Sequence, residues 1–361
     1  MKKVLKLLGI LLLVLLLIVI GYAGYVFGTY SRIEDNQNLS VTHGSSGVQT
    51  AAPETPYKIL SWNIGFGAYE ADFGFFMDGG TQSRAWSKER LLDNLDEIGT
   101  LLAEQNADLT LLQEVDFDSD RSYHVDEALT LRTFDGLDVY TDSVFAVNYH
   151  SAYLFYPLTK PHGASNSGLL TISRLGVRSA VRRSLPVETG VTKLLDLDRC
   201  YSVSRIPVSN GKELCLFDLH LSAYTSDGKI ADEQLELLLS DMQREYEAGN
   251  YVVGGGDFNK DLLEGGSEAY FGVLTEDHTW AQPIRFDLLA ATDIRLVAPE
   301  GKGAPVPSVR NADGPYHDGQ LVLTVDGFLV SPNVEVLESE VLDTGFANSD
   351  HNPVVMTVEL S

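Results

Sequence analysis

The chain has 361 residues, 44% of them hydrophobic, which suffices for a well-buried core in one large or two ordinary domains. Setting aside Lys2, Lys3, Lys6 and Arg32 leaves 22 of the 26 Lys and Arg against all 51 Asp and Glu, so the chain beyond residue 32 carries a net charge of −29. Such a surface repels polyanions and disfavours nucleic acid as a partner, while two cysteines, Cys200 and Cys215, are too few for a disulfide framework or a cysteine zinc site.

The first predicted element is an apolar run from Leu7 to Tyr30 behind Lys2, Lys3 and Lys6. It is long enough for a bilayer-spanning helix, which needs roughly 20 apolar residues. It also exceeds a signal-peptide core, and Gly21-Tyr22-Ala23-Gly24 matches a cleavage site poorly. Residues 1–31 therefore read as an uncleaved signal anchor. The lysines hold its start in the cytoplasm and put the remainder on the outer face of the cell membrane. Residues 32–56, polar and poor in large apolar side chains, read as a flexible linker with His43 in it. A single catalytic domain is expected over 57–361.

That domain alternates short apolar strands with Gly, Asn, Asp and Pro, an α+β signature. Tyr57–Asn63 reads as a strand. Ser87 caps a helix whose Leu91, Leu92, Leu95, Ile98, Leu101 and Leu102 keep helical spacing to about Asn106. Strands follow at 108–115, 168–173 and 199–208, and Asn210-Gly211 reads as a two-residue turn into 213–221, which sets Ile206 opposite Cys215 and leaves both cysteines as buried thiols. A second helix runs from about Ile230 to Glu247, ahead of Gly249. Strands at 251–255, 321–330 and 354–360 complete the pattern, and Tyr149, His150 and His162 read as loop residues.

Five of these strands run into polar clusters: Ser61-Trp62-Asn63, Leu112-Gln113-Glu114, Phe217-Asp218-Leu219-His220, Gly256-Asp257-Phe258-Asn259 and Thr324-Val325-Asp326. A sixth cluster, Asn348-Ser349-Asp350-His351-Asn352-Pro353, precedes the last strand. Ligands gather at strand ends, where backbone pairing stops and side chains converge.

Taken in order, these six motifs resemble the endonuclease/exonuclease/phosphatase superfamily, with deoxyribonuclease-like and neutral sphingomyelinase-like hydrolases among its branches. The resemblance spans about Tyr57 to Leu360 and implies a four-layer α/β/β/α sandwich of two packed mixed β-sheets, with the site at one edge. It implies a phosphoester hydrolase using Mg²⁺ or Mn²⁺, and the residues suit that chemistry. Hydrolysis needs a hard cation, a positioned water and a donor to the leaving oxygen, and oxygen ligands without cysteine suit Mg²⁺.

Glu114 is the expected principal metal ligand, with Asn63 beside the metal and Asp350 as a further ligand or a loop anchor. By resemblance, Asp257 orients or deprotonates the water and Asn259 bonds a phosphoryl oxygen. His351 acts at the phosphate as base or electrostatic stabiliser, Asp326 fixes its tautomer, and His220 is a second phosphate contact. Asn166, Arg199 and Arg121 are weaker candidates for substrate binding. Spacing leaves open which side chain takes the water's proton.

The sequence lacks the Pro-Ser-Trp-Cys-Asp-Arg-like segment of inositol phosphatases, having Leu323-Thr324-Val325-Asp326-Gly327-Phe328 in its place, which disfavours that branch. The tether favours a lipid head group or small phosphoester, in a monomer. The alternatives are an extracellular nuclease and a non-catalytic binding protein on the same fold. The second is opposed by the retention of Asn63, Glu114, Asp257, Asn259 and His351.

Overall fold

A computed structural model describes residues 1–44, 49–137, 142–187, 198–223, 229–272 and 280–361. The N-terminal helix α1, Lys2–Thr29, buries none of its residues and is long and apolar enough to cross a membrane.

Two seven-stranded mixed sheets form the body. The first contains β1 (Gln37–Leu39), β7 (Ser179–Ser184), β8 (Cys200–Pro207), β9 (Glu213–His220), β10 (Tyr251–Asp257), β14 (Asp326–Val330) and β11 (Arg295–Val297), in that spatial order. The second is β15 (Val334–Val341), β16 (Val354–Leu360), β3 (Tyr57–Asn63), β4 (Leu109–Asp116), β6 (Asn166–Ser173), β5 (Asp142–His150) and β2 (Val41–His43). A short ribbon of β12 (Val309–Arg310) and β13 (Val322–Leu323) lies apart from both.

Strand periodicity sorts the side chains into layers. Ile59, Leu109, Leu111, Leu214, Leu216, Val253 and Phe328 meet in the core between the sheets. The alternate residues face outward. Leu60, Trp62 and Leu112 pack under Leu91, Leu95, Ile98 and Leu102 of α2 (Lys88–Gln105), near α3 (Glu127–Arg132). On the opposite face Phe217, Val252 and Leu329 pack under Leu235, Leu238 and Met242 of α4 (Lys229–Glu247), with α5 (Ser267–Phe271) and α6 (Phe286–Ala290) further along the chain. This is the α/β/β/α sandwich expected from the motifs. The Ser87 hydroxyl caps α2 by accepting from Arg90 N, and Asn106 ends it in the left-handed conformation.

Four readings of the sequence are corrected. Residues 32–56 are not a free linker: β1 pairs with β7, β2 pairs with β5, and Gln49 and Ala51 bridge to Leu175 and Val208. Edge strands need backbone pairing more than apolar side chains, so composition misjudged them. His43 is a strand residue bonded to Asp142 at 2.8 Å, and residues 45–48 of that segment lie outside the described residues.

The hairpin between β8 and β9 sets Arg205, not Ile206, opposite Cys215. Only Gly211 of the turn has positive φ, so the loop is longer than a two-residue turn and the register moves by one. Both cysteines are buried and free, as expected. Tyr149 and His150 close β5 instead of lying in a loop, and the single strand read at 321–330 is broken at Thr324-Val325 into β13 and β14.

Candidate active site

On the inter-sheet face, each central strand carries a polar residue at or near one end. Asn63 ends β3, Gln113 is its registered partner on β4, and His220 and Asp257 are paired across the parallel ends of β9 and β10. Asp326, the first residue of the antiparallel β14, flanks Asp257 on the other side. Register alone thus lines up His220, Asp257 and Asp326 across one sheet, facing Asn63 on the other.

Glu114 follows Gln113 and would by alternation point toward the outer helices. Instead it adopts φ +54°, at a bulge where the β4–β6 register shifts between Leu112 and Val115. A non-glycine residue in this conformation is strained, and bulges re-aim side chains. Here Glu114 lines the same cavity as Asn63, His220, Asp257 and His351. Gly256 permits the close approach beside Asp257: its φ is +154°, and a Cβ there would lie 1.9 Å from Leu219 O.

Asp257 is the hub. Its Oδ2 accepts from Asn63 Nδ2 at 3.1 Å, Asn259 Nδ2 at 3.2 Å and His220 Nε2 at 3.2 Å, and its Oδ1 accepts from Asn259 N at 2.8 Å. Burial opposes its charge, but the His220 and His351 rings outweigh burial and hold the carboxyl well below the usual range. Asn63 also donates to Glu114 Oε1 at 3.5 Å, while its own Oδ1 accepts from Gly65 N at 3.0 Å. Asn259 spends its remaining proton on Leu221 O at 2.9 Å. Both amides are therefore engaged in fixing Asp257.

His351 Nδ1 lies 2.8 Å from Asp326 Oδ2, which also accepts from Ser308 Oγ at 2.7 Å. The loop is pinned by Trp62 Nε1 donating to His351 O at 2.8 Å and by Ser349 Oγ donating to Asn63 O at 2.7 Å. Burial works against a charged imidazole, yet Asp326 and then Asp257 raise His351 to about 10. It is an imidazolium at neutral pH, with Nε2 3.9 Å from Asp257 Oδ2. His220 goes the other way. Burial and Arg199 lower it against the pull of Asp257, and its buried Nδ1 has no partner among the described residues.

The cavity enclosing these groups has a volume of about 440 Å³. Glu114 and Asp350 both line it, half-buried, and neither has an ion-pair partner among the described residues. Burial raises Asp350 to about 7, with Glu114 and Asp78 adding to the rise. Two carboxylates that line one cavity, one raising the other's cost of ionisation and neither held in an ion pair among the described residues, are a donor set that a hard divalent ion fits. Asp257, Asp326 and His351 also place one ligand atom each within 4.8 Å of one another. There the His351–Asp326 hydrogen bond already accounts for the proximity, so Glu114 and Asp350 are the better match.

Of the weaker candidates, Arg121 and Arg199 line the cavity but Asn166 does not. Asn166 Nδ2 donates to Asp118 O at 2.7 Å and so fastens a loop. Arg121 is clamped by Asp116 at 2.8 and 3.0 Å and lies 4.0 Å over the Phe66 ring. Sequence reading missed Tyr69, Asp78, Asn148 and Arg310, and set Tyr149 and His162 aside, although all six line the cavity. The usable signal was the end of β5, where Asn148 and Tyr149 close an apolar strand as the recognised clusters do. Tyr69, Asp78 and Arg310 come from segments without a strand-end pattern.

The sequence profile of the Endonuclease/Exonuclease/phosphatase family matches residues 60–351. No curated protein matches the chain significantly. Among solved structures, an endonuclease/exonuclease/phosphatase from Beutenbergia cavernae superposes with a TM-score of 0.61 at 19% identity, covering 85% of this chain and 72% of that one. A family protein from Leptotrichia buccalis gives 0.53 at 16% identity, over 84% and 100%. ANGEL2, described as a 2',3'-cyclic phosphatase and solved with adenosine-2',3'-vanadate, gives 0.55 at 15% identity, over 91% and 99%. At these identities the likeness shows the fold.

Proposed function

Because this chain belongs to the endonuclease/exonuclease/phosphatase family, whose members hydrolyse phosphoesters, we propose that it is a divalent-metal-dependent phosphoester hydrolase anchored by α1, with residues beyond it on the outer face of the membrane. The observation that carries this reading is Asp257, held as a carboxylate by four donors, in one cavity with Glu114, Asp350 and His351, the last backed by Asp326.

Glu114 and Asp350 would hold Mg²⁺ or Mn²⁺, which when bound supplies charge neutralisation at the phosphoryl oxygens. Asp257 accepts a hydrogen bond from the attacking water and directs its lone pair at phosphorus. Because its basicity is depressed, it orients more than it deprotonates in the ground state, and it receives the proton only as the new P–O bond forms. The ester P–O bond breaks in the same displacement, its electron pair leaving on the ester oxygen, which takes a proton from solvent water. His351 donates Nε2–H to a phosphoryl oxygen as charge builds there, and Asp326 keeps the ring charged and oriented. Its raised affinity for the proton favours the stabilising role over the base role. Arg121 and Arg199 bind the far side of the substrate.

The test is hydrolysis of bis(p-nitrophenyl) phosphate by the full chain in detergent. Turnover is expected with Mg²⁺ or Mn²⁺ and none with EDTA. Turnover that survives EDTA, or that fails with every divalent ion, would overturn the reading.

A further inference from the structure

The loop from Tyr153 to Leu158 exposes an unusual amount of apolar surface: Leu158 is 84% exposed, Tyr156 68% and Phe155 53%. Single exposed apolar residues are ordinary, but a contiguous group beside a cavity marks an interaction surface. Met77, 68% exposed, lines the same cavity next to Phe76.

The same loop is tied to α1. Tyr22 Oη donates to Tyr153 O at 3.1 Å, Tyr153 N donates to Tyr25 Oη at 3.2 Å, and the Tyr22 ring meets Phe155 edge-on at 5.3 Å. These tyrosines also fix a depth. If the hydrocarbon begins just past Lys6, roughly 20 residues at about 1.5 Å each span its ~30 Å and end near Val26. Tyr25 then lies at the outer edge of the hydrocarbon and Tyr22 about one turn inside it, bordering the interface where aromatic belts form, so the loop they hold lies at that edge too. On its other side the Tyr156 ring meets Phe76 at a tilt, 5.6 Å between centroids, and Phe76 and Leu154 are cavity wall. One apolar path therefore runs from the membrane helix, across the loop, to the mouth of the site.

We propose that residues 153–158 together with Met77 dock on the bilayer that α1 crosses, and that the substrate is the head-group phosphoester of a lipid entering the cavity sideways from that leaflet. The acidic charge of the domain selects zwitterionic over anionic lipid surfaces. The docking rests on α1 remaining attached, and the substrate assignment rests on the hydrolase reading above.

The test uses the full chain reconstituted in vesicles of phosphatidylcholine and sphingomyelin. Leu158→Cys gives a labelling site, since Cys200 and Cys215 are buried. A fluorophore there is expected to be quenched by spin-labelled lipid and shielded from aqueous iodide. Iodide quenching equal to that of the free label, without lipid quenching, would overturn the docking whatever the enzyme's activity. Leu158→Asp, at a residue outside the cavity, is expected to lower release of head groups from the vesicles at least tenfold while leaving bis(p-nitrophenyl) phosphate turnover unchanged. An unchanged vesicle rate, or an equal fall on both substrates, would refute the role of the loop. Wild-type turnover of the soluble ester with no lipid cleaved would overturn the substrate class alone, and turnover of neither would remove the hydrolase reading.

Discussion

Asp326 and His351, 25 residues apart in sequence, meet through a buried 2.8 Å contact between carboxylate and imidazole at the mouth of the inter-sheet space. Asp326→Asn keeps the shape and removes the charge that makes His351 an imidazolium. The ring is expected to fall from about 10 toward or below its ordinary value of about 6.5. Turnover should drop on the order of 100-fold near neutral pH, the lower part of the range for a misprotonated catalytic group. An NMR titration of the His351 ring together with the pH–rate profile checks both. A variant whose ring still titrates where the wild type does would refute the electrostatic account.

Glu114→Gln should abolish metal-supported hydrolysis, a loss of at least about 10³-fold, while the bulge persists because it is set by backbone pairing. Calorimetric titration with Mn²⁺ is expected to show binding to wild type and much weaker binding to the variant. Equal binding would move the cation away from Glu114.

Asp218 lies between the sheets beneath the site, accepting from Gln113 Nε2 at 2.8 Å and Thr171 Oγ1 at 3.2 Å. Burial raises it to about 8 against these two bonds. Above pH ~4 the unfolded chain releases this proton while the folded chain keeps it, so the group's contribution to stability is complete at low pH and is lost as pH rises toward 8. The slope is at most about 1.4 kcal/mol per pH unit. Asp218→Asn should make stability nearly independent of pH across that window as far as this group is concerned. Urea unfolding at pH 5 and pH 8 measures it; an unchanged difference between the two would show that Asp218 is ionised in the fold.

Arg121 is a structural cation as well as a cavity residue, since Asp116 and Glu127 are buried behind it. Arg121→Ala leaves buried acidic groups uncompensated, which costs about 3–5 kcal/mol. Arg121→Lys retains the charge but cannot reproduce the two-pronged contact with Asp116. It should fold with a smaller loss and a raised KM. Denaturation combined with kinetics distinguishes the two, and a stable Arg121→Ala protein would contradict the packing seen around Asp116.

Removing α1 by starting the chain at Ser31 preserves β1 and β2, whereas starting at Thr50 removes both from the sheet edges. The longer soluble chain is expected to melt about 2–8 °C above the shorter one. Equal melting temperatures would mean that the edge strands add nothing and that the catalytic domain begins later.

The sequence by itself determined the elements whose physics is local. Hydrophobic period and caps mark α2 and α4, composition and length mark α1, and apolar runs that end in polar residues mark β3, β4, β9 and β10. Because strand side chains alternate strictly, those runs also place Asn63, Gln113, His220 and Asp257 on the face between the sheets. Tertiary structure decided what depends on partners. Pairing recruited the polar segments 37–39 and 41–43 as edge strands, and the hairpin loop set its own register. A bulge turned Glu114 into the cavity against its alternation. The charges of His351 and Asp218 likewise follow from burial and from neighbours distant in the chain, and no local pattern encodes those.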